Sequence, residues 1–216
     1  MHETFDRNGI RGVLHRPAEP SGDGLVLTHG AGSDHRSPLL AAVAEAFEDA
    51  GCLVLRFDLP FRRERPKGPP HPAGAARDRA GVAEAASLLR PLGCARVVAG
   101  GHSYGGRQTA MAAAETPAFA ESLLLLSYPL HPPGKPEQLR TAFFPQLRTP
   151  ALFVHGAADP FGTLAELRAS LSLIPVRTEL LSILSAGHDL KAIVRQPDTV
   201  ADAFRRFFPP RHGVAL

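Results

Sequence analysis

The 216-residue chain reads as an α/β protein, a mostly parallel sheet with helices on both faces. Three observations predict this. Short runs rich in Val and Leu alternate with longer Ala- and Leu-rich segments, as strands alternate with helices. The strand runs are nearly continuous in apolar residues, the pattern of a sheet covered on both sides. A serine flanked by glycines stands where one such run gives way to a helical segment.

In chain order, strands are predicted at residues 10–15, 25–28, 53–57, 96–99, 123–127, 151–154 and 179–184. Leu25-Val26-Leu27-Thr28 runs into the glycine-rich turn His29-Gly30-Ala31-Gly32, and Arg96-Val97-Val98-Ala99-Gly100 runs into Gly101-His102-Ser103-Tyr104-Gly105. Ala151-Leu152-Phe153-Val154-His155-Gly156 is a strand entering a turn. Helices fit residues 38–50, 75–92, 107–115, 163–171 and 189–208. The last turns Leu190, Ile193, Val194, Val200, Ala203, Phe204 and Phe207 toward the core, a more economical reading than a membrane or partner face. Two segments break the alternation. Residues 61–74 mix Pro66, Pro69, Pro70 and Pro72 with Arg62, Arg63, Arg65 and Lys67, which predicts a solvated surface loop without a regular element. Residues 128–150 are proline-rich, with room for one short helix at 137–144. Both follow the carboxyl end of a strand, the edge where ligands bind in open α/β sheets.

A chain of this length with 44% hydrophobic residues fits a single domain spanning 1–216. Lys and Arg together exceed Asp and Glu by only three, and most of the cations are Arg. Such a balance gives no argument for nucleic acid. The start, Met1 to Asp6, has neither a basic nor an apolar leader region, and no apolar run approaches the ~20 residues of a membrane span. Cys52 and Cys94 lack C-x-x-C spacing, so buried free thiols are expected rather than a disulfide or zinc site. Together these features predict a cytoplasmic protein without membrane association.

Gly101 to Gly105 reads as a nucleophile elbow, in which a serine sits on a strand-to-helix turn tight enough to need glycine neighbours. The alternative is a serine that merely caps the helix. A nucleophilic serine needs a base and a carboxylate to orient that base, and downstream of Ser103 these arrive in the order acid then histidine. Asp159 follows the strand at 151–154, and His188 follows the strand at 179–184, so both lie on loops at the same sheet edge. Asp159 competes with Asp58 and Asp189, and with a capping role for the helix at 163. An oxyanion hole requires two backbone N–H donors. Tyr104 supplies one from the elbow, and Ala31 in the early glycine turn is the second candidate. His29, Gly30, Gly32, Asp58 and His102 are candidate pocket-lining positions; His29 and His155 are read as loop-shaping or lining, not as bases. No ligand spacing points to a metal, and Gly101 to Gln108 lacks the lysine of a phosphate loop, so neither a metal nor a nucleotide cofactor is expected.

Together these residues resemble the α/β-hydrolase superfamily, and more closely its small members without a cap domain, related to dienelactone hydrolases. The nearest likeness is to the branch of KANL/testis-expressed hydrolase-like proteins. Its recurring segments match His29 to Gly32, Phe57-Asp58-Leu59-Pro60, Gly101 to Arg107, Asp159-Pro160-Phe161-Gly162 and His188, over residues 9–208. The resemblance implies a single-domain hydrolase fold without a large cap and a serine hydrolase cleaving an ester, thioester or related small acyl substrate without a cofactor. Dienelactone hydrolases use cysteine where this chain has Ser103, and the branch often carries a basic residue where it has His102. A scaffold on a hydrolase fold, or a peptidase, are the alternative functions.

Overall fold

The computed structural model describes residues 2–209. Its elements in order are β1 (His2–Arg7), β2 (Ile10–His15), β3 (Asp23–Thr28), α1 (Pro38–Asp49), β4 (Leu53–Phe57), α2 (Pro60–Glu64), α3 (Ala75–Ser87), β5 (Arg96–His102), α4 (Tyr104–Glu115), β6 (Ser122–Leu126), β7 (Ala151–Gly156), α5 (Leu164–Leu171), β8 (Thr178–Ile183), α6 (Lys191–Arg195) and α7 (Asp198–Phe207). All eight strands form one sheet in the order β1-β2-β4-β3-β5-β6-β7-β8. β1 and β2 join antiparallel, and β4 onward is parallel. This is the α/β architecture that the alternating runs predict.

Continuous apolar strands demand cover on both faces, and two clusters supply it. On one side Val82, Ala85, Ala110, Ala113, Leu167 and Leu171 from α3, α4 and α5 pack on the sheet through Val26, Leu55, Val97, Leu125 and Phe153. On the other, Leu40, Val43, Phe47, Ile193, Val200 and Phe204 from α1, α6 and α7 cover Leu25, Val54, Val98, Leu124 and Val154. Alternation within each strand divides its residues between the two clusters. The parallel strands therefore end together, Thr28 opposite Gly101 and His102 opposite Leu126, and their following loops meet at one edge.

Several boundaries depart from expectation, each for a physical reason. β1 was not foreseen because only Phe5 of its six residues is buried. The segment 61–74 does hold regular structure: Pro60 opens α2 where its missing N–H costs nothing, and Pro72–Gly74 form a 3-10 turn. No helix spans 137–144; a single 3-10 turn, Phe144–Gln146, buries Phe144 instead. The helix expected at 189–208 is two, because Pro197 cannot continue the hydrogen-bond ladder, and Val194 turns outward. No described helix is long and apolar enough to cross a membrane.

Candidate active site

β5 extends three residues past the predicted run, so Ser103 lies directly between its last residue, His102, and the first of α4, Tyr104. The turn is sharp enough to hold Ser103 at φ 52°, ψ −116°. Glycine is needed on both sides. A Cβ on Gly101 would lie 2.8 Å from the Gly105 carbonyl carbon, and one on Gly105 would lie 2.5 Å from the His29 oxygen. Ser103 is the N-terminal flanking residue of α4, yet its hydroxyl makes no capping bond.

The hydroxyl faces His188 instead, with Oγ 2.8 Å from Nε2. On the far side of the ring, Nδ1 lies 2.8 Å from Asp159 Oδ2 and 3.0 Å from Oδ1. A carboxylate only accepts, so Nδ1 carries the proton and Nε2 presents its lone pair to the serine. Asp159 is buried on the loop after β7, where the Phe161 N–H donates to Oδ1 at 2.9 Å. Burial would raise its pKa, but the hydrogen bonds from His188 and Phe161 outweigh that and hold it below the usual carboxylate range. The helix-capping alternative fails, since Thr163 caps α5 through a reciprocal bond with Glu166.

Neighbouring rings hold the imidazole in place. Phe161 lies 4.2 Å from it, tilted by 33°. His102 Nε2 donates to the His188 carbonyl at 2.8 Å, and burial lowers the His102 pKa to about 4, keeping it neutral. His155 Nε2 likewise donates to Gly162 O at 2.8 Å, tying the Asp159 turn to the end of β7. The rival carboxylates lie elsewhere. Asp58 takes hydrogen bonds from Arg11 and the His35 N–H, and exposed Asp189 pairs with Lys191.

The loop after β3 is shaped by His29, in one of the two roles the sequence offered for it, and by Arg62, whose role the sequence disguised. His29 is fully buried and so does not line a pocket. Its Nε2 accepts from the Leu59 N–H at 3.2 Å, leaving the Nδ1 proton to reach Gly30 O at 2.9 Å. Ser33 N–H also donates to that carbonyl, at 3.1 Å. In a trans peptide the N–H points opposite the carbonyl, so the Ala31 N–H turns away from His29. Gly30 itself abuts the elbow, with room for a Cβ only 3.1 Å from His102 Nδ1. Gly32 opens onto a shallow groove of about 450 Å³ with Ser33, Arg36 and Lys67.

Arg62 was grouped with the solvated basic run, but it is 4% exposed. Its guanidinium donates to Ala31 O at 2.7 Å, Ser33 O at 2.8 Å, Arg65 O at 3.0 Å and Gly68 O at 3.1 Å. Nothing in the sequence separates it from Arg63 and Arg65; the first turn of α2, which buries Phe61 and Arg62 alone, does. Asp78 is a second buried group beneath the elbow, accepting from Tyr104 Oη at 2.7 Å and the Phe61 N–H at 3.0 Å.

One further cluster has metal-ligand chemistry: His2, His15 and Glu48. Arg56 Nε donates to His15 Nε2 at 2.8 Å, which leaves the proton on Nδ1, the atom facing Glu48. A cation bound at Nδ1 would displace that proton to the nitrogen that already faces Arg56. The donor set therefore does not fit a metal.

Residues 22–209 match the family model described as Alpha/beta hydrolase domain. The chain belongs to the alpha/beta hydrolase family. Solved structures similar to it include dienelactone hydrolase from Anabaena variabilis (22% identity, TM-score 0.71, 95% of this chain and 96% of that one). Est1E from Butyrivibrio proteoclasticus is 16% identical at TM-score 0.73, covering 95% and 97%. XC6422 from Xanthomonas campestris, an α/β serine hydrolase without lid, is 16% identical at TM-score 0.71, covering 97% and 95%. At these identities the likeness is one of fold, and it extends over nearly the whole chain.

Proposed function

We propose that this alpha/beta hydrolase is a serine hydrolase of esters, thioesters or related acyl compounds, with Ser103, His188 and Asp159 as its triad. The observation that carries the reading is the continuous chain of hydrogen bonds from Ser103 Oγ through His188 to Asp159. Ser103 Oγ attacks the acyl carbon while His188 Nε2 takes its proton, and Asp159 holds the imidazole in the required tautomer and steadies the imidazolium. The oxyanion of the tetrahedral intermediate accepts from the N–H groups of Ala31 and Tyr104. Tyr104 suits this task because it opens α4, where a helix has N–H groups without partners of its own. As the intermediate collapses, the bond to the leaving group breaks and His188 returns the proton to it. Water, deprotonated by the same nitrogen, then attacks the acyl-serine and frees the acid.

The narrower likeness to the KANL/testis-expressed hydrolase-like branch belongs to this proposal and rests on the five segments quoted from the sequence. A fluorophosphonate probe and an aryl-ester assay test the reading on wild-type protein and Ser103→Ala. Wild type should label quickly and turn over ester, and the variant should do neither, a loss on the order of 10⁴ to 10⁶ in turnover. A folded wild-type protein inert to both reagents would favour the scaffold reading, and peptide-amide turnover matching ester turnover would favour a peptidase.

A further inference from the structure

Two arginines on segments that adjoin the elbow, Arg107 and Arg140, have no anionic partner among the described residues. Arg107 stands one helical turn after Ser103, and its N–H donates to the Ser103 carbonyl at 2.9 Å. Residues four apart share a helix face, and side chains lean toward the helix amino end, so Arg107 reaches back toward the elbow. Across from it, the Ser103 N–H donates to Leu126 O at 2.8 Å, and Tyr128 lies two residues beyond that carbonyl. The Tyr128 hydroxyl, within reach of the Arg107 guanidinium, itself donates to Arg140 O at 2.6 Å. Arg140 is anchored by its N–H to Leu130 O at 2.8 Å and by Nη1 to Pro129 O at 3.2 Å.

Both arginines are half-buried, and among the described residues neither enters an ion pair. Arg107 Nε is buried without a hydrogen-bond partner. The Arg107 charge acts on Arg140, like charges in a partly desolvated setting repel, and a buried unpaired donor is costly, so the arrangement suits an anion. It borders the candidate chemistry on the other side as well: His131, one residue past Leu130, donates its N–H to Phe161 O at 3.0 Å, and Phe161 lies against His188.

We infer that Arg107 and Arg140 form a subsite for an oxyanion carried by the substrate, so that the acyl compound handled at Ser103 is acidic. A guanidinium fork matches the two oxygens of a carboxylate, and a phosphate group offers the same chemistry. This deepens the serine-hydrolase reading and rests on it for the word substrate.

The test has a binding arm and a turnover arm. Glutarate, and separately inorganic phosphate, is titrated by calorimetry into wild-type protein and into Arg107→Met and Arg140→Met variants, with circular dichroism to verify folding. In parallel, kcat/KM is measured for 4-nitrophenyl butyrate and for the mono-4-nitrophenyl ester of glutaric acid. Saturable glutarate binding by wild type, weakened about tenfold or more in each folded variant, is expected, together with a similar fall in the ratio of glutaryl to butyryl turnover. Saturable binding of phosphate but not glutarate, with the same sensitivity to the variants, would identify a phosphorylated substrate. Absence of saturable binding of either anion, or binding and ratio both unchanged in folded variants, overturns the subsite. If neither ester is turned over while anion binding still depends on both arginines, the subsite stands and the serine-hydrolase reading falls.

Discussion

Ser103 occupies a backbone conformation that non-glycine residues seldom take, at a cost of about 1–3 kcal/mol, and the packing of Gly101 and Gly105 around it leaves no alternative. The geometry makes the role of Asp159 separable from that of its rivals. Asp159→Asn should keep the shape of its turn but favour the wrong imidazole tautomer, and a comparable change in a serine protease costs about 10⁴ in turnover. Asp189→Asn should cost far less, because that side chain is exposed and tied to Lys191. Steady-state kinetics on the two variants decide the matter, and near-normal turnover in Asp159→Asn would move the acid elsewhere. The residues of the proposed triad could be picked out of the sequence because such chemistry fixes both residue type and chain order. Arg62 could not, because its burial depends on four carbonyls contributed by two separate loops.

At the scale of elements, α2 acts as a brace between the loops that follow β3 and β4. Its Arg62 holds two carbonyls of the 31–33 loop, while His29 reaches from that loop to Leu59 at the start of the helix. Arg62→Met should therefore lower kcat with little change in KM, by about tenfold to a hundredfold, less than outright loss of an oxyanion donor. Arg62→Lys should recover part of the loss through a single donated bond. Equal damage to kcat and KM, or a lysine variant no better than methionine, would reduce Arg62 to a packing residue. The sequence disclosed the buried strands through their apolar runs but not β1 or α2. An edge strand with one buried residue carries no periodic signal, and a five-residue helix is too short to display one.

The whole molecule should lose stability in mild acid. Burial lowers the pKa values of His15 and His102 from 6.5 to about 4, so the folded state keeps both neutral where the unfolded chain has begun to protonate them. Stability is then level above about pH 6.5 and falls between 6.5 and 4, because there the unfolded state binds more protons. Below that window Asp58 and Asp159 extend the loss, since both carboxyls are held below their ordinary value in the fold. Denaturant melts from pH 7.5 to 4 should follow this curve, with His15→Gln and His102→Gln each flattening its upper part. A wild-type profile flat from pH 6.5 to 4 would contradict the burial of neutral imidazoles.

Because every loop assigned to chemistry leaves the carboxyl end of the sheet, the opposite rim is free for attachment to a solid support. The turn of residues 16–22 lies on that rim, between β2 and β3, and Glu19 is exposed there. Both native thiols are buried, and burial pushes Cys94 up to about 11 and Cys52 higher still, so neither offers a ready thiolate. Glu19→Cys would therefore give maleimide a single point of reaction, and molecules immobilised through it would stand with the loops of the carboxyl end toward the solution.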